Sequence, residues 1–355
     1  MTRRLDDFRA RMDKEGLDGF LVLNNFNRNY LSGFSGSSGA LLFGPSQTLF
    51  LTDSRYTVQA KAEVRGAETV LQTKALLTDA IELVKKQKIK KLGFESLHVS
   101  HAAFVYLQKE LKKVCLVPTK DLAEGLRAVK DPAEMDKMRA AAAITDRAFR
   151  HILGFIKPGV KESDLAVELE HRMRVLGASG PSFETIVASG WRGALPHGIA
   201  SSKKVAKGDL IVFDFGCIVD GYCSDMTRMA CVGKPSAEQA KVYKIVKQAQ
   251  QAGLDKIKAG RPAGEVDLAA RGLIARAGFG KHFGHGLGHG VGVEVHEEPR
   301  LGPKIKAPLK RGMAVTCEPG IYLEGKFGVR IEDLVLVTDK GCENLYKTSK
   351  ELAIV

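Results

Sequence analysis

The sequence predicts an α+β protein in which a smaller α/β domain, residues 1–125, precedes a larger domain, residues 126–355. Up to about residue 125, short apolar runs alternate with segments of helical periodicity, which is typical of an α/β domain. A helix-start signal follows at Asp131 and Pro132. Beyond it, helical segments and strand candidates follow one another without strict alternation, and this order favours an α+β domain.

The elements of the smaller domain follow from the spacing of its apolar residues. Residues 3–15 have the spacing of an amphipathic helix, and residues 19–23 form a short apolar strand. Residues 48–52 predict a strand from which residues 53–56 lead into a helix, and residues 91–95 predict a further strand.

In the larger domain, helix starts are marked by capping residues. Asp131 is expected to cap a helix whose first position is Pro132 and whose capping box is completed by Glu134. Ser236 and Gln239 predict a second capping box. The remaining predictions are a stop for the first helix at residues 157–159, helices at 163–177 and 266–275, and strands at 210–218, 222–232, 313–318 and 329–337.

Composition excludes several classes of protein. The net charge is +13, but the lysines are spread through amphipathic segments without interleaved aromatic residues, so no nucleic-acid partner is expected. No run approaches the roughly 20 apolar residues of a membrane helix, and the first residues lack the apolar centre of a secretory signal. We therefore expect a cytoplasmic protein without a membrane partner, whose six scattered cysteines are reduced.

Acidic residues stand within apolar strand candidates at four places. Asp214 lies in the run 210–216, and Asp225 lies in the candidate that follows the turn at residues 220–221. Glu318 ends the candidate 313–318, and Glu332 lies within 329–337. An ionised carboxylate in such surroundings is costly unless a cation or a donor partners it. These positions therefore predict a shared site.

Histidines in a glycine-rich segment offer nitrogen ligands for a metal in addition to these carboxylates. His285 and His289 are four residues apart, but the glycines of residues 284–290 argue against a helix and would let the backbone approach a ligand closely. His296 follows, with acidic residues beside it. A mainly oxygen donor set favours Mn²⁺, Co²⁺, Fe²⁺ or Zn²⁺. Because four carboxylates overcompensate one divalent ion, we expect two ions.

Each of these residues alone has an ordinary structural explanation, but their joint order is specific. The phrases VFDFG, CSDMTR, HGLGHGVGVEVHEEP, CEPGIY and GVRIED resemble the pita-bread metallopeptidases, which include methionine aminopeptidase, aminopeptidase P, prolidase and creatinase. Residues 29–39 and 52–56 are similar to the creatinase-type amino-terminal domain of the proline-specific branch. The resemblance implies a pita-bread catalytic domain preceded by a smaller creatinase-type α/β domain.

The resemblance also implies the roles of individual residues. The metal ligands would be Asp214, Asp225, His289, Glu318 and Glu332, and the ions would be two divalent metals, with Mn²⁺ expected before Co²⁺, Zn²⁺ or Fe²⁺. Glu318 would carry the proton to the leaving nitrogen, and His197 and His296 would hydrogen-bond the substrate and the oxyanion. The expected substrate contacts are His285, Arg300 and Arg330, of which Arg330 would also orient an acidic ligand.

Two clues to specificity conflict. Arg300 resembles the arginine with which prolidases hold the carboxylate of a carboxy-terminal proline, whereas the amino-terminal segment resembles bacterial aminopeptidase P. We expect an Xaa-Pro aminopeptidase acting on proline-containing peptides as a homodimer, with an Xaa-Pro dipeptidase as the alternative. A non-catalytic pita-bread binding protein and a metal-free creatinase-like hydrolase remain as rivals, and the complete ligand set argues against both.

Overall fold

The computed structural model describes residues 2–355, which divide into two compact units. The amino-terminal unit ends at Arg127, and the carboxy-terminal unit spans Ala128–Val355. Both units mix helices with strands, which agrees with the predicted α+β class.

The amino-terminal unit contains six helices and six strands in the described residues. Its helices are α1 Thr2–Lys14, α2 Asn25–Ser32, α3 Thr57–Glu63, α4 Leu76–Lys86, α5 His101–Glu110 and α6 Glu124–Arg127. Its strands are β1 Gly19–Val22, β2 Ala40–Phe43, β3 Thr48–Thr52, β4 Glu68–Leu71, β5 Lys91–Glu95 and β6 Cys115–Thr119.

These six strands form one mixed sheet in the order β4-β3-β2-β1-β5-β6. Neighbours pair antiparallel within β1-β2-β3 and parallel at β3-β4, β1-β5 and β5-β6. Successive residues of a strand point to opposite faces. Thus Phe20 packs with Phe8 of α1, whereas Leu21 packs with Ile81 and Val84 of α4. Helices covering both faces of the sheet explain why its central strands are apolar throughout.

The carboxy-terminal unit carries the remaining helices and strands. Its helices are α7 Pro132–Ile152, α8 Glu162–Val175, α9 Ala237–Leu254 and α10 Ala263–Arg276. Its strands are β7 Gly180–Pro181, β8 Ile186–Ser189, β9 Leu210–Phe215, β10 Cys217–Val219, β11 Tyr222–Cys223, β12 Met226–Cys231, β13 Gly288–Gly290, β14 Glu297–Leu301, β15 Ala314–Cys317, β16 Gly320–Leu323, β17 Phe327–Arg330, β18 Asp333–Val337, β19 Cys342–Asn344 and β20 Ala353–Ile354.

Two sheets position the functional part of this unit. One has the order β20-β12-β9-β8, and the other has the order β14-β13-β15-β18-β19. Their strands send alternate residues into two cores: Val212 and Val315 pack with α9 and α10, whereas Phe213 and Ala314 pack with α7 and α8. The sheets therefore lie between two helix pairs, and each pair buries one of their faces.

The two helix starts predicted from capping boxes are confirmed. Asp131 and Glu134 form the capping box of α7 with Pro132 in the first turn, and Ser236 and Gln239 form that of α9. The predicted end of α7 at residues 157–159 is wrong, because the helix ends at Ile152 and continues as a short 3₁₀ turn, Leu153–Phe155.

Three predicted strands are interrupted, which corrects the sequence interpretation. The run 210–218 breaks at Gly216, where a Cβ atom would lie 1.9 Å from the Ser224 carbonyl oxygen. The candidates 222–232 and 329–337 break immediately around Asp225 and Glu332. Glu318 directly follows β15 rather than ending it. Three of the four acidic residues thus leave the regular ladder, so strand alternation does not fix the direction of their side chains.

Among the described residues, no helix combines the length and apolar character needed to cross a bilayer. The six cysteines are free thiols, and four of them are buried.

Candidate metal centre

One cleft in the carboxy-terminal unit gathers every residue that the sequence predicted for the site. Its volume is about 930 Å³, within the range of about 300 to 1,000 Å³ that is usual for ligand pockets. The predicted residues that line it are His197, Asp214, Asp225, His285, His289, His296, Arg300, Glu318, Arg330 and Glu332.

Asp214 is held by Arg330 from one side. Asp214 lies on β9 directly opposite Thr227 of β12, and its Oδ2 accepts a hydrogen bond from Arg330 Nη2. The other carboxylate oxygen, Oδ1, is buried and has no hydrogen-bond partner in the part of the chain that is described. A buried carboxylate oxygen without a donor is costly, so a cation is expected at this position.

Asp225, His289 and Glu332 offer three ligand atoms within 4.8 Å of one another. All three residues are buried. The backbone of Asp225 is held by Tyr346, whose hydroxyl accepts from the Asp225 N–H at 2.9 Å and donates to its carbonyl at 2.6 Å. Glu332 Oε2 accepts from Thr227 Oγ1 at 2.8 Å.

The imidazole of His289 is oriented with one nitrogen toward the carboxylates. Its Nδ1 lies 3.0 Å from the Gly290 carbonyl, and a carbonyl only accepts, so Nδ1 carries the hydrogen of this bond. Nε2 lies 3.6 Å from Asp225 Oδ2 and 3.2 Å from Glu318 Oε1. Metal-binding histidines commonly donate their second ring N–H to a carbonyl in this way.

Thr316 links His289 to Glu318. Its hydroxyl accepts from the His289 backbone N–H at 3.0 Å and donates to Glu318 Oε1 at 3.0 Å. Gly288, beside His289, packs so closely on β15 that a Cβ atom would lie 2.1 Å from the Thr316 carbonyl oxygen. Gly288 therefore admits the neighbouring strand, and it also lines the cleft, so the close approach of backbone to a ligand stays a prediction.

The carboxylates strongly perturb one another. Burial and then the charge of Glu332 raise the pKa of Asp225 well above its ordinary value, and burial and then Glu318 do the same for Glu332. Burial also raises the pKa of Asp214, against the opposing charge of Arg330. Burial would raise the pKa of Glu318 too, but its hydrogen bond and charge interaction with His289 lower that pKa to about 2.

These residues fit a divalent metal centre. Four carboxylates and one imidazole line a common space, and the guanidinium of Arg330 contacts one of the carboxylates, that of Asp214. Bound cations would remove the repulsion that raises these pKa values. The donor set is that of a divalent metal site rich in oxygen ligands.

Arg330 is engaged by four protein groups. Besides Asp214, it donates from Nε to Thr227 Oγ1 at 3.0 Å, and from Nη1 to the Pro196 carbonyl at 3.1 Å and to Tyr322 OH at 2.9 Å. Since a guanidinium has five N–H groups, little donor capacity remains for a substrate. The geometry therefore favours its predicted role as the group that orients Asp214.

His285 also contacts Tyr322. Its Nδ1 lies 2.8 Å from the Gly286 carbonyl and its Nε2 lies 2.9 Å from Tyr322 OH. Nδ1 therefore donates to the carbonyl and Nε2 accepts from the tyrosine hydroxyl. Burial lowers the pKa of His285, which favours the neutral ring that this arrangement requires.

His296, His197 and Arg300 are the exposed members of the predicted set that lines the cleft. The rings of His289 and His296 meet edge to face with centroids 4.4 Å apart. Burial and then the charges of His289 and Arg300 lower the pKa of His296 to about 4, so its ring is neutral at neutral pH. Arg300 lies directly opposite His289 in the β13-β14 ladder, and such pairs share one face of a sheet.

Sequence reasoning missed the hydroxyl groups that support the centre: Thr227, Thr316, Tyr322 and Tyr346. Tyr322 stands in the phrase CEPGIY and Thr227 in CSDMTR, so proximity to an acidic residue was the available signal. A hydroxyl in an apolar strand has many ordinary partners, however, and the contacts themselves join residues far apart in the chain.

Two protein-family profiles together match most of the chain. The profile of metallopeptidase family M24 matches residues 136–339, and that of the creatinase/prolidase N-terminal domain matches residues 4–129. Among curated proteins, a Pyrococcus horikoshii protein named Xaa-Pro dipeptidase is 38% identical over 346 residues, covering 96% of each chain.

Solved structures are similar over the whole chain. A structure described as an Xaa-Pro dipeptidase from Bacillus anthracis has a TM-score of 0.97 at 42% identity, covering 99% of each chain. A structure described as an X-Pro aminopeptidase from Thermotoga maritima has a TM-score of 0.90 at 40% identity, covering 97% of this chain and 100% of the other. These similarities bear out the pita-bread resemblance, including its creatinase-type amino-terminal domain.

Proposed function

Since the chain belongs to metallopeptidase family M24, we propose that it is an exopeptidase that hydrolyses Xaa-Pro dipeptides at the bond before proline. The family implies divalent metal ions as cofactors. The choice of a dipeptidase departs from the Xaa-Pro aminopeptidase that the sequence led us to expect and takes up its alternative. Several of the most similar proteins carry the name Xaa-Pro dipeptidase or prolidase, which supports the alternative better than the aminopeptidase.

The observation that carries this proposal is the position of Arg300. It lines the cleft opposite His289, and its side chain is exposed and makes no hydrogen bond or ion pair with the described residues. A guanidinium in this state can take a carboxylate through two parallel hydrogen bonds. The carboxylate of a carboxy-terminal proline meets that requirement, whereas a proline followed by another residue offers none at that point.

We propose Asp214, Asp225, His289, Glu318 and Glu332 as the ligands of two divalent ions, with Mn²⁺ as the physiological metal. Two observations support these ligands: their side chains line one cleft, and Asp214 Oδ1 is buried without a hydrogen-bond donor among the described residues. Such ions would polarise the scissile carbonyl and promote ionisation of water.

The remaining roles are proposed for groups of the chain itself. Glu318, beside His289, would accept a proton and deliver it to the leaving proline nitrogen. His296, neutral at neutral pH, and His197, exposed in the same cleft, would hydrogen-bond the substrate as charge develops on its carbonyl oxygen. Arg330 and Tyr322 would keep Asp214 and His285 in place.

Two other functions have less support. An Xaa-Pro aminopeptidase shares the centre, and the Thermotoga maritima similarity favours it. A non-catalytic binding protein has no need of the buried carboxylates, whose mutual repulsion is unfavourable without cations.

Hydrolysis of defined peptides separates these functions. Protein reconstituted with Mn²⁺ is expected to release proline from Gly-Pro at a higher kcat/KM than it cleaves Gly-Pro-Pro or longer peptides. The reverse order would support the aminopeptidase, and no hydrolysis of any of them by metal-loaded protein would support the binding protein.

The resemblance further supports a homodimer, and we also propose a cytoplasmic location. Sedimentation analysis of the full chain tests the dimer, and fractionation of the source cells tests the location.

A further inference from the structure

A second unpaired charge, that of Glu184, lies in the cleft on the side of Asp214. Ser182 donates its N–H to the Gly216 carbonyl at 3.1 Å, and Ile186 lies directly opposite Asp214 in the β8-β9 ladder. Glu184 stands between these two anchors, two residues from Ile186, which is about 7 Å along an extended chain. Its side chain is exposed, lines the cleft and makes no hydrogen bond or ion pair with the described residues.

The cleft wall around Glu184 is apolar. Phe183 precedes it, Ile186 follows the buried Thr185, and Ile199, which forms an isolated bridge with Ile186, lines the same cleft and is 45% exposed. An apolar wall with one carboxylate is complementary to a lysine or arginine side chain, whose methylene groups pack on apolar surface while the charged end meets an acid.

The free positive charges lie on another side of the centre. Arg300 belongs to the β13-β14 ladder with His289, in a different sheet from β8 and β9. Lys281, in the 3₁₀ turn Gly280–His282, also lines the cleft and has no ion-pair partner among the described residues. The free charges of the cleft are thus divided, with a carboxylate near the strand that pairs with Asp214 and cations on other elements.

This distribution of charges would fix the orientation of a bound dipeptide. If Arg300 takes the proline carboxylate on the His289 side, the residue before proline extends toward Asp214 and β8. We infer that Glu184 forms a subsite for the side chain of this residue and selects cationic residues, so that Arg-Pro and Lys-Pro are preferred over Glu-Pro. The inference rests on the proposed dipeptidase function and adds to it the identity of the favoured substrates.

Three dipeptides test this subsite in the metal-loaded full chain. The wild type is expected to hydrolyse Arg-Pro with a higher kcat/KM than Leu-Pro, and Leu-Pro with a higher value than Glu-Pro. Glu184→Gln is expected to lower the Arg-Pro to Glu-Pro ratio by about fivefold, as expected when about 1 kcal/mol of ion pairing is lost. The change should appear mainly in KM. Glu184→Arg is expected to reverse the order of these two substrates.

Glu324→Gln is the matched control, because Glu324 is an exposed glutamate that does not line the cleft. It should leave the ratio at its wild-type value. If Glu184→Gln hydrolyses all three dipeptides with the wild-type Arg-Pro to Glu-Pro ratio, the subsite is refuted and the dipeptidase function stands. If the wild type hydrolyses none of them, the dipeptidase function fails and the subsite fails with it.

Discussion

Asp267 and Arg271, one turn apart on α10, form a two-point ion pair with Nε–Oδ1 at 2.7 Å and Nη2–Oδ2 at 2.9 Å. Together they hold the glycine-rich segment before His289. Arg271 donates to the carbonyls of Phe283 and His285 at 2.9 and 2.6 Å, and Asp267 Oδ2 accepts from the Leu287 N–H at 2.9 Å. Glycine-rich backbone has little rigidity of its own, so this pair restrains the segment that carries His285 and leads to His289.

Removal of Arg271 should therefore disturb both stability and metal binding. Arg271→Ala leaves the fully buried Asp267 without its cation and frees two carbonyls. We expect the free energy of unfolding to fall by about 3 kcal/mol. We also expect metal affinity to weaken by about tenfold, as for other groups that orient ligands. Chemical denaturation and calorimetric titration with Mn²⁺ measure the two effects.

Arg261→Ala is the control for this prediction. Arg261 and Glu265 form an ion pair at 2.7 Å with the same spacing in sequence, but their side chains are 30% and 51% exposed. Such a pair contributes less than about 1 kcal/mol. Equal losses in the two variants would show that the ion pair of Arg271 has no special role in holding the histidine segment.

Features that depend on neighbouring residues could be predicted from the sequence, whereas contacts between distant residues could not. The capping boxes at Asp131 and Ser236 were predictable because a cap involves residues three positions apart. The acidic site was predictable because a carboxylate in an apolar run requires a partner. The partner of Asp214 could be anticipated only through the family resemblance, since Arg330 reaches it from another sheet.

The strand breaks were not predictable from periodicity. Apolar residues continue on both sides of each break, Cys223 and Met226 at Asp225 and Ile331 and Leu334 at Glu332, so the sequence suggests uninterrupted ladders. At the breaks, the chain makes hydrogen bonds with residues distant in sequence, such as those of Tyr346 with the Asp225 backbone and of Thr227 with Glu332. No local pattern encodes a hydrogen bond between residues about a hundred positions apart.

Arg300→Ala should impair dipeptide hydrolysis selectively. If the guanidinium binds the proline carboxylate, its loss removes a charged hydrogen-bond pair worth about 1.5 to 3 kcal/mol, so kcat/KM for Gly-Pro should fall by about 10- to 100-fold. Gly-Pro-amide, which lacks that carboxylate, should be affected much less. A parallel loss for both compounds, measured by proline or prolinamide release, would refute the carboxylate contact.

Glu318→Gln should abolish turnover while the fold is retained. Glutamine preserves the size of the side chain but cannot accept and return a proton, so kcat should fall by about 100-fold or more. Metal content must be measured alongside the rate, because Glu318 is also a proposed ligand. A variant with full metal content and a near-normal rate would remove Glu318 from the proton-transfer role.

Metal removal should make stability depend on pH in a defined direction. In the chelated protein the raised pKa values of Asp225 and Glu332 keep these groups protonated at pH values where the unfolded chain, with carboxyl pKa values near 4, is already ionised. The folded state then binds more protons than the unfolded state, so the free energy of unfolding falls as pH rises. Glu318, with its pKa lowered to about 2, contributes constant stability above about pH 5 and does not mask this trend.

We therefore expect the Tm of EDTA-treated protein to fall between about pH 5 and about pH 8, and added Mn²⁺ to restore it by neutralising the carboxylates. Asp225→Asn is the informative variant, because it removes one of the buried charges without changing size. In EDTA at about pH 8 it should melt above the wild type, whereas in Mn²⁺ it should melt below, since a ligand is lost. Scanning calorimetry of both proteins measures these differences. A chelated wild type that melts at the same temperature as Asp225→Asn across this range would mean that the carboxylates do not repel one another as their burial implies.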